Sequence, residues 1–530
     1  MIFCPPNWAI SISRLKPMHR KAVALIMGAT AAVALPPTSI VFFLIPAFTI
    51  LLWSIQENSV RSAIAQGWWF GLGFFIAGFY WISNAFQVDA ERYGWLAPFA
   101  VIGIASFMAL YAAFATGMTK WLSLRFKLLY WSQALTFAVF WTFAEYLRGK
   151  LLTGLPWNLI GSVWVLSDTM MQSAAWIGVS GLSLVTIAAA CLPASLACYG
   201  NNNVKKWFIA LSGIFVIALM FGAGTQRLAD AKTTNIENVR LRLVQPNIPQ
   251  HLKWLSNMRI QHVYKQLKMS QQPTNATKAP THVIWPETAV PFDLATSPFL
   301  KKLIGSAVPE GGLIILGAIR SEANTERKPK LWNSLQAISK TGSIVGSYDK
   351  KHLVPFGEYV PMRNILSFSK LTTGRLDFSS GTGSRVLNLP GLPPVAVLIC
   401  YEIIFSEEIL RNTSEASRPG WLLNITNDAW FGNSAGPHQH FAAARLRAVE
   451  YGLPVIRVAN TGISAIIDPY GRTIKALGTG QTGIIDFALP SPLEPTFFSR
   501  FYSGITWGLI LLVIIFSTIL PKVGRHNPRT

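Results

Sequence analysis

Charge is scarce in this chain. Only 13% of its 530 residues are Asp, Glu, Lys or Arg, and 24 acidic residues stand against 46 basic ones. Soluble domains carry about a quarter charged residues. So low a share, together with 51% hydrophobic residues, 19 Trp and 32 Phe, excludes an ordinary soluble protein and points to a polytopic membrane protein. The formal net charge of +22 does not read as nucleic-acid binding. The basic residues of the first half sit between hydrophobic segments, where they set membrane topology and meet anionic headgroups.

Cysteine is scarce too, with four residues at Cys4, Cys191, Cys198 and Cys400. Cys191 and Cys198 fall in a hydrophobic segment and Cys4 is near the terminus, so Cys400 is read as a free thiol. Nothing resembles a cleaved signal peptide, because the first apolar segment leads straight into others. No internal repeat is visible.

A membrane-spanning helix needs about 20 mostly apolar residues. Seven such segments are expected near 22–36, 38–54, 66–85, 96–118, 131–147, 173–199 and 207–224, and an eighth near 502–520. With the N-terminus in the cytoplasm, the inner connections hold Arg14, Lys16, Arg20, Lys21, Arg61, Lys120, Arg125, Lys127, Lys205, Lys206, Lys522, Arg525 and Arg529. The outer short loops hold only Arg92, Arg148 and Lys150. This asymmetry places the polar block between the seventh and eighth segments outside the cytoplasm and both termini within it. The expected organisation is a transmembrane domain over 1–224, an extracytoplasmic domain over 225–495, and a final helix with a cytoplasmic tail over 496–530.

The polar block alternates strand-like runs with more helical stretches, which argues an α/β domain. The strand-like runs are Val239–Val244, Val283–Trp285, Leu313–Leu316, Val395–Ile399, Leu422–Ile425 and Ile463–Ile467, with Ala442–Tyr451 as a helical stretch. Residues 268–281, rich in Gln, Pro, Thr, Asn and Lys, read as a surface loop.

Val395–Ile399 stops abruptly at Cys400, followed by Tyr401 and Glu402. A cysteine ending a buried strand suits a nucleophile, but free cysteines are also commonly core residues. Glu287 follows Trp285-Pro286 at the end of another apolar run and could act as a general base or sit in the first turn of a helix. Lys350 precedes the apolar turn Leu353-Val354-Pro355-Phe356-Gly357-Glu358, where it could stabilise a thiolate or an oxyanion, or remain a solvated surface lysine. Glu358 is either a turn residue or a partner of that lysine. His352, His438 or His440 could instead pair with Cys400 as in cysteine proteases. His438-Gln439-His440 lacks acidic or cysteine ligands at convincing spacing, so no metal is expected, and no cofactor either.

Glu287 after Trp-Pro, Lys350 in the Tyr348–Glu358 block and Cys400 in Ile-Cys-Tyr-Glu together resemble the Glu–Lys–Cys triad of the nitrilase superfamily. Asn427-Asp428-Ala429-Trp430-Phe431-Gly432 and Asp468-Pro469-Tyr470-Gly471-Arg472 are similar to later blocks of that superfamily, in the same order. The resemblance implies an α-β-β-α sandwich. Over nearly its whole length the chain resembles the bacterial apolipoprotein N-acyltransferase family, through Gly154-Leu155-Pro156-Trp157-Asn158 and Gln250-His251-Leu252-Lys253-Trp254.

That resemblance implies a ping-pong acyl transfer in the bacterial inner membrane. A phospholipid, typically phosphatidylethanolamine, gives an acyl chain to Cys400, and the α-amine of a diacylglyceryl-cysteine apolipoprotein accepts it. Glu287 would be the base and Lys350 the oxyanion cation, with a backbone N–H near Tyr401 as a second donor. Glu358 and Glu402 would orient the lysine and the mouth of the site, and Trp254, Trp430 and Phe431 are candidates for lining the lipid path. A monomer is expected. The rival readings are a membrane-anchored amidase using water as acceptor, and a transporter or receptor. Intramembrane charges that would mark a transport path are few, chiefly Glu145 and Arg148 near a helix end.

Overall fold

The computed structural model describes residues 11–56, 58–197, 203–274, 278–322, 329–361, 376–410 and 417–523. Cys4, Cys198, Arg525 and Arg529 lie outside them. One compact unit gathers the chain up to Ser83, Leu96–Asp230 and the stretch from Thr496 onward; the other gathers Asn84–Trp95 and Ala231–Pro495.

The first unit is helical, and each expected apolar segment contains a helix. These run Pro17–Ala32, Leu44–Ile55, Val60–Phe79, Ala97–Phe126, Tyr130–Arg148, Ala174–Cys191, Asn203–Ala229 and Ser503–Val523. Among the described residues four helical stretches are long and apolar enough to cross a membrane: Val60–Phe86, Ala90–Phe126, Ala174–Ala197 and Val204–Ala229. Val41–Ile55 and Gly504–Ser517 are shorter apolar helices.

Small residues let helices touch backbone to backbone, as membrane bundles require in place of a hydrophobic driving force. A Cβ on Gly71 would come within 2.8 Å of the Ala109 Cα. Phe48, Phe70, Phe137 and Trp141 form an aromatic knot with ring centroids 5.2–5.9 Å apart. By contrast Val204, Phe208 and Phe215 on the 203–229 helix are exposed, as side chains facing lipid would be.

Glu145 and Arg148 have a local structural use. Glu145 Oε1 accepts from the Ile160 N–H at 2.9 Å and the Trp141 indole at 3.2 Å. Arg148 donates to the carbonyls of Leu155 and Trp157. Both charges therefore pin the 154–160 loop within the helical unit.

The second unit is two facing sheets with helices outside them. The first sheet has strand order β13-β1-β2-β4-β5-β6, with β3 paired to β4. Its strands are β1 Asn235–Gln245, β2 His282–Ile284, β3 Val290–Asp293, β4 Ile314–Glu322, β5 Lys330–Ile338, β6 Ile344–Asp349 and β13 Gly483–Pro490. The second sheet, ordered β12-β11-β10-β9-β8-β7, holds β7 Val386–Leu387, β8 Val395–Ile399, β9 Trp421–Thr426, β10 Val455–Ala459, β11 Ser464–Ile467 and β12 Thr473–Leu477. β8, β9 and β10 run parallel and are buried along their whole length. Burial on both faces is what makes parallel strands read as unbroken apolar runs.

β1 packs on β10 and β5 on β8, which joins the sheets face to face. The helices Arg259–Ser270 and Pro298–Gly305 cover the first sheet, and Ala435–Tyr451 covers the second. The result is the α-β-β-α layering. The expected loop at 268–281 begins later than its composition suggests, because Lys268, Met269 and Ser270 complete the first of these helices. Met269 is buried there and the Ser270 Oγ accepts from the Trp285 indole at 2.8 Å, so tertiary contacts override the polar composition.

Strand direction explains where the polar groups gather. β2 and β4 are parallel, and β6 is parallel to both because β5 is antiparallel to each of its neighbours. Glu287 and Lys350 therefore leave the same edge of one sheet, and Cys400 leaves the C-terminal end of β8 in the other.

Candidate active site

Cys400 occupies the junction between β8 and a short 3-10 turn over Cys400–Ile404, with φ of 53°. A non-glycine residue in the left-handed region costs about 1–2 kcal/mol, so neighbouring groups must hold it. Two do so through its carbonyl. Asn424 Nδ2 donates to the Cys400 oxygen at 3.3 Å, and His440 Nε2 donates to it at 3.1 Å.

Behind these donors lies a buried charge network. His440 Nδ1 lies 2.9 Å from Asp428 Oδ1, and Arg457 Nη2 donates to Asp428 Oδ2 at 2.7 Å. Arg457 also bonds Asn424 Oδ1. Burial alone would raise the Asp428 carboxyl, but Arg457 and then His440 hold it well below the usual carboxylate range. Burial and then the Arg457 charge push His440 down, while Asp428 pulls the other way. His440 Nε2 is thus engaged by the backbone carbonyl of Cys400, which argues against it as the base of a cysteine-protease couple.

The other two histidines do not fill that role. His352 faces Glu408 at 3.1 Å and stacks on Phe405 with centroids 3.7 Å apart, and His438 is half-buried on the outer helix. No cluster of three or more His, Cys, Asp or Glu side chains among the described residues has the arrangement of a metal site.

Glu287, Lys350 and Glu358 come together around Asn333. Lys350 Nζ lies 2.9 Å from Glu358 Oε2 and 3.7 Å from Glu287 Oε1. Asn333 Nδ2 donates to Glu287 Oε1 at 2.7 Å and to Glu358 Oε1 at 2.9 Å. The Val354 N–H donates to Glu358 Oε2 at 2.8 Å, so the apolar turn after Lys350 carries its own carboxylate back onto the lysine. Burial of Lys350 (1% exposed) would push its ammonium down, but Glu358 and Glu287 outweigh that and hold it above the ordinary lysine value. It stays a permanent cation.

Burial, then the Glu287 charge, push the Cys400 thiol up to about 12, while Lys350 and the Thr426 hydroxyl pull the other way. At rest Cys400 is therefore a thiol, and to act as a nucleophile near neutrality it would need a base.

Glu402 ties the two halves of the site. Its Oε1 accepts from the Tyr348 hydroxyl at 2.8 Å and from the Lys351 and His352 N–H groups at 2.9 and 3.1 Å. Its Oε2 accepts from the Ile399 N–H at 2.8 Å and faces Arg385 at 3.5 Å. The carboxylate thus clamps the Lys350 loop to the turn that carries Cys400. Tyr401 is buried beside His352 and Phe405.

The three aromatic candidates are half-buried. The Trp254 indole N–H is enclosed with no hydrogen-bond partner among the described residues. Phe431 lies with its ring 5.9 Å from that of His440, and its carbonyl accepts from Asn84 Nδ2 at 2.8 Å.

Beneath Glu287 runs β4. A Cβ on Gly317 would meet the Glu287 Cα and the Pro286 oxygen, each at 2.7 Å.

Sequence reasoning passed over Asn333, Lys253, Thr426, Asn424 and Arg457. Asn333, Thr426, Asn424 and Arg457 are polar residues buried within or beside apolar runs, which is the signal that marks them, whereas Lys253 lies in no such run.

The two facing sheets with their covering helices make up a carbon–nitrogen hydrolase domain. Residues 240–494 match the family described as Carbon-nitrogen hydrolase, and residues 27–192 match the Apolipoprotein N-acyltransferase N-terminal domain. The apolipoprotein N-acyltransferase of Rhodopseudomonas palustris is 39% identical over 500 residues, covering 91% of both chains. That of Bradyrhizobium diazoefficiens is 36% identical over 526 residues, covering 96% of each, and that of Agrobacterium fabrum is 37% identical over 524 residues, covering 95% of this chain and 96% of its own. The chain belongs to the apolipoprotein N-acyltransferase family. It is a membrane-associated enzyme of that family.

Proposed function

We propose that this enzyme moves an acyl chain from a phospholipid, phosphatidylethanolamine being the expected donor, to the N-terminal α-amine of diacylglyceryl apolipoproteins through a Cys400 thioester. The observation that carries this reading is the division of labour among the carboxylates. Glu358 engages the lysine at 2.9 Å, and Glu287 stands at 3.7 Å with a charge that acts on the cysteine.

In the first half, the Cys400 Sγ–C bond forms as Glu287 accepts the thiol proton, and the carbonyl oxygen of the ester becomes an oxyanion facing Lys350. Collapse breaks the C–O bond, and Glu287 returns its proton to the departing lysophospholipid alkoxide. In the second half the acceptor amine attacks the thioester. Glu287 takes the proton from the nitrogen and passes it to the sulfur as the C–S bond breaks, which regenerates the Cys400 thiol and the Glu287 carboxylate. A site whose cysteine is 9% exposed leaves little room for competing water.

Charge asymmetry in the short loops supports a multi-pass protein of the bacterial inner membrane. Its catalytic block, 225–495, would lie on the periplasmic side between the first domain, 1–224, and the last helix, 496–530, with both termini cytoplasmic. It would act as a monomer. Incubation of the purified full chain with phospholipid alone, followed by mass spectrometry, tests the reading. An acyl adduct on Cys400 that is absent from Cys400→Ala is the expected result. Steady release of ammonia from amides with no acyl transfer to a lipopeptide would favour the amidase alternative instead.

A further inference from the structure

A second buried lysine stands beside the first, and the mechanism above does not use it. Lys253 is 3% exposed, in the short helical turn Gln250–Lys253 that follows β1. Its Nζ donates to the main-chain oxygen of Glu287 at 3.0 Å and to the Thr288 hydroxyl at 2.8 Å. Those two residues form the bend that aims the Glu287 carboxylate. Thr288 has φ of 44°, a conformation a β-branched residue rarely adopts unless held. Gly317 packs closely against the same bend. The groups whose charges reach the Lys253 ammonium are Glu287, after β2, and Cys400, after β8.

We propose that Lys253 is a positioning residue that grips the Glu287 bend from its main-chain side and adds a second positive charge to the surroundings of the Cys400 sulfur. The proposal rests on the Glu287–Lys350–Cys400 reading. The two lysines then have different tasks. Lys350 is locked between carboxylates and faces the oxyanion, whereas Lys253 touches no carboxylate oxygen among the described residues. Burial pulls Lys253 down to about 8, even though Glu287 and Cys400 pull the other way, so its charge is the one that titrates near the working range. Loss of that proton leaves two N–H donors for the same two acceptors. The bend persists while the positive charge that favours thiolate and oxyanion disappears. The rate of acyl-enzyme formation therefore falls as pH rises through about 8.

The test uses the full-length protein with phospholipid alone, so that the acceptor amine does not contribute a titration. Formation of the Cys400 acyl adduct is timed by intact mass across the neutral to alkaline range for wild type, Lys253→Met and Lys253→Arg. Lys253→Met is expected to slow adduct formation about 10²-fold, with the phospholipid KM little changed and the alkaline fall removed. Lys253→Arg is expected to keep the rate within about tenfold and move the fall to higher pH, since a guanidinium stays charged. An alkaline fall that survives unchanged in Lys253→Arg, or an unaltered rate in folded Lys253→Met, would overturn the proposal. If Lys253→Met does not fold, the Arg profile decides. If wild type itself forms no Cys400 adduct, the triad reading fails instead, so the two failures are distinct.

Discussion

Lys350 Nζ sits 2.9 Å from Glu358 and 3.7 Å from Glu287, and the single Asn333 amide nitrogen bridges the two carboxylates. The lysine thereby engages one acid more closely than the other, and in the proposed mechanism the second acid is the one that moves protons. Replacing Glu358 by Gln should release the lysine toward Glu287 and weaken Glu287 as a base. We expect Glu358→Gln to fold, to lower the rate of Cys400 acylation by about 10²–10³-fold and to leave KM within a few-fold. Stopped-time mass spectrometry of the adduct checks this, and wild-type rates would contradict it.

Glu402 has no acid–base task in the proposed mechanism, yet it joins the Lys350 loop to the Cys400 turn through four hydrogen bonds. A Gln there would turn an N–H₂ toward donors or leave some of them unpaired. Glu402→Gln should cost about 2–4 kcal/mol of stability and slow acylation, because cation and nucleophile lose their fixed separation. Thermal unfolding in detergent, followed by intrinsic fluorescence, reads the first effect and adduct timing the second.

The network behind Cys400 makes a different demand. Arg457→Met would leave Asp428 buried without its guanidinium, a loss of about 3–5 kcal/mol. The milder His440→Asn should fold but lose a donor to the Cys400 carbonyl. Its acylation rate should fall about tenfold or more with the thiol still present, as iodoacetamide labelling under denaturing conditions would verify. An unchanged rate in His440→Asn would show that Asn424 alone holds the turn.

Asp428 also predicts an acid sensitivity. Its folded carboxyl is held below the ordinary value of 3.8, so the stability it contributes is complete above that value. That stability is lost as pH falls from there through the lower folded value. Unfolding on acidification should therefore steepen below about pH 4. Asp428→Asn, less stable at neutral pH, should show a shallower dependence in the same range.

Much of this site can be read in the chain because strand ends advertise themselves. Val395–Ile399 and Val283-Ile284-Trp285 are apolar runs that break at or just before a candidate site residue, and buried parallel strands leave just such a trace. β5 is harder to see, since Asn333, Ser334 and Gln336 interrupt its apolar residues and are buried only because partners across the domain satisfy them. Lys253 is invisible for a related reason. Between His251 and Trp254 it reads as one more basic residue, and its bonds run to a loop 34 positions away. The edge strands β12 and β13 escaped notice because they are half-exposed and carry Lys475 and Asp486 among apolar residues. Helix existence in the first unit followed from hydropathy, whereas helix ends did not: Val60–Phe79 begins at a Ser59 cap well before its apolar run.

Gly317 carries no chemistry at all, yet β4 can pass under Glu287 only because a hydrogen stands where every other amino acid has carbon. In a saturation-mutagenesis survey this position should tolerate as little as the nucleophile does. A search for the catalytic centre by intolerance alone would therefore flag a residue with no functional group. A Gly317→Ala change should therefore behave as a loss-of-function allele of this enzyme, although it adds only one methyl group.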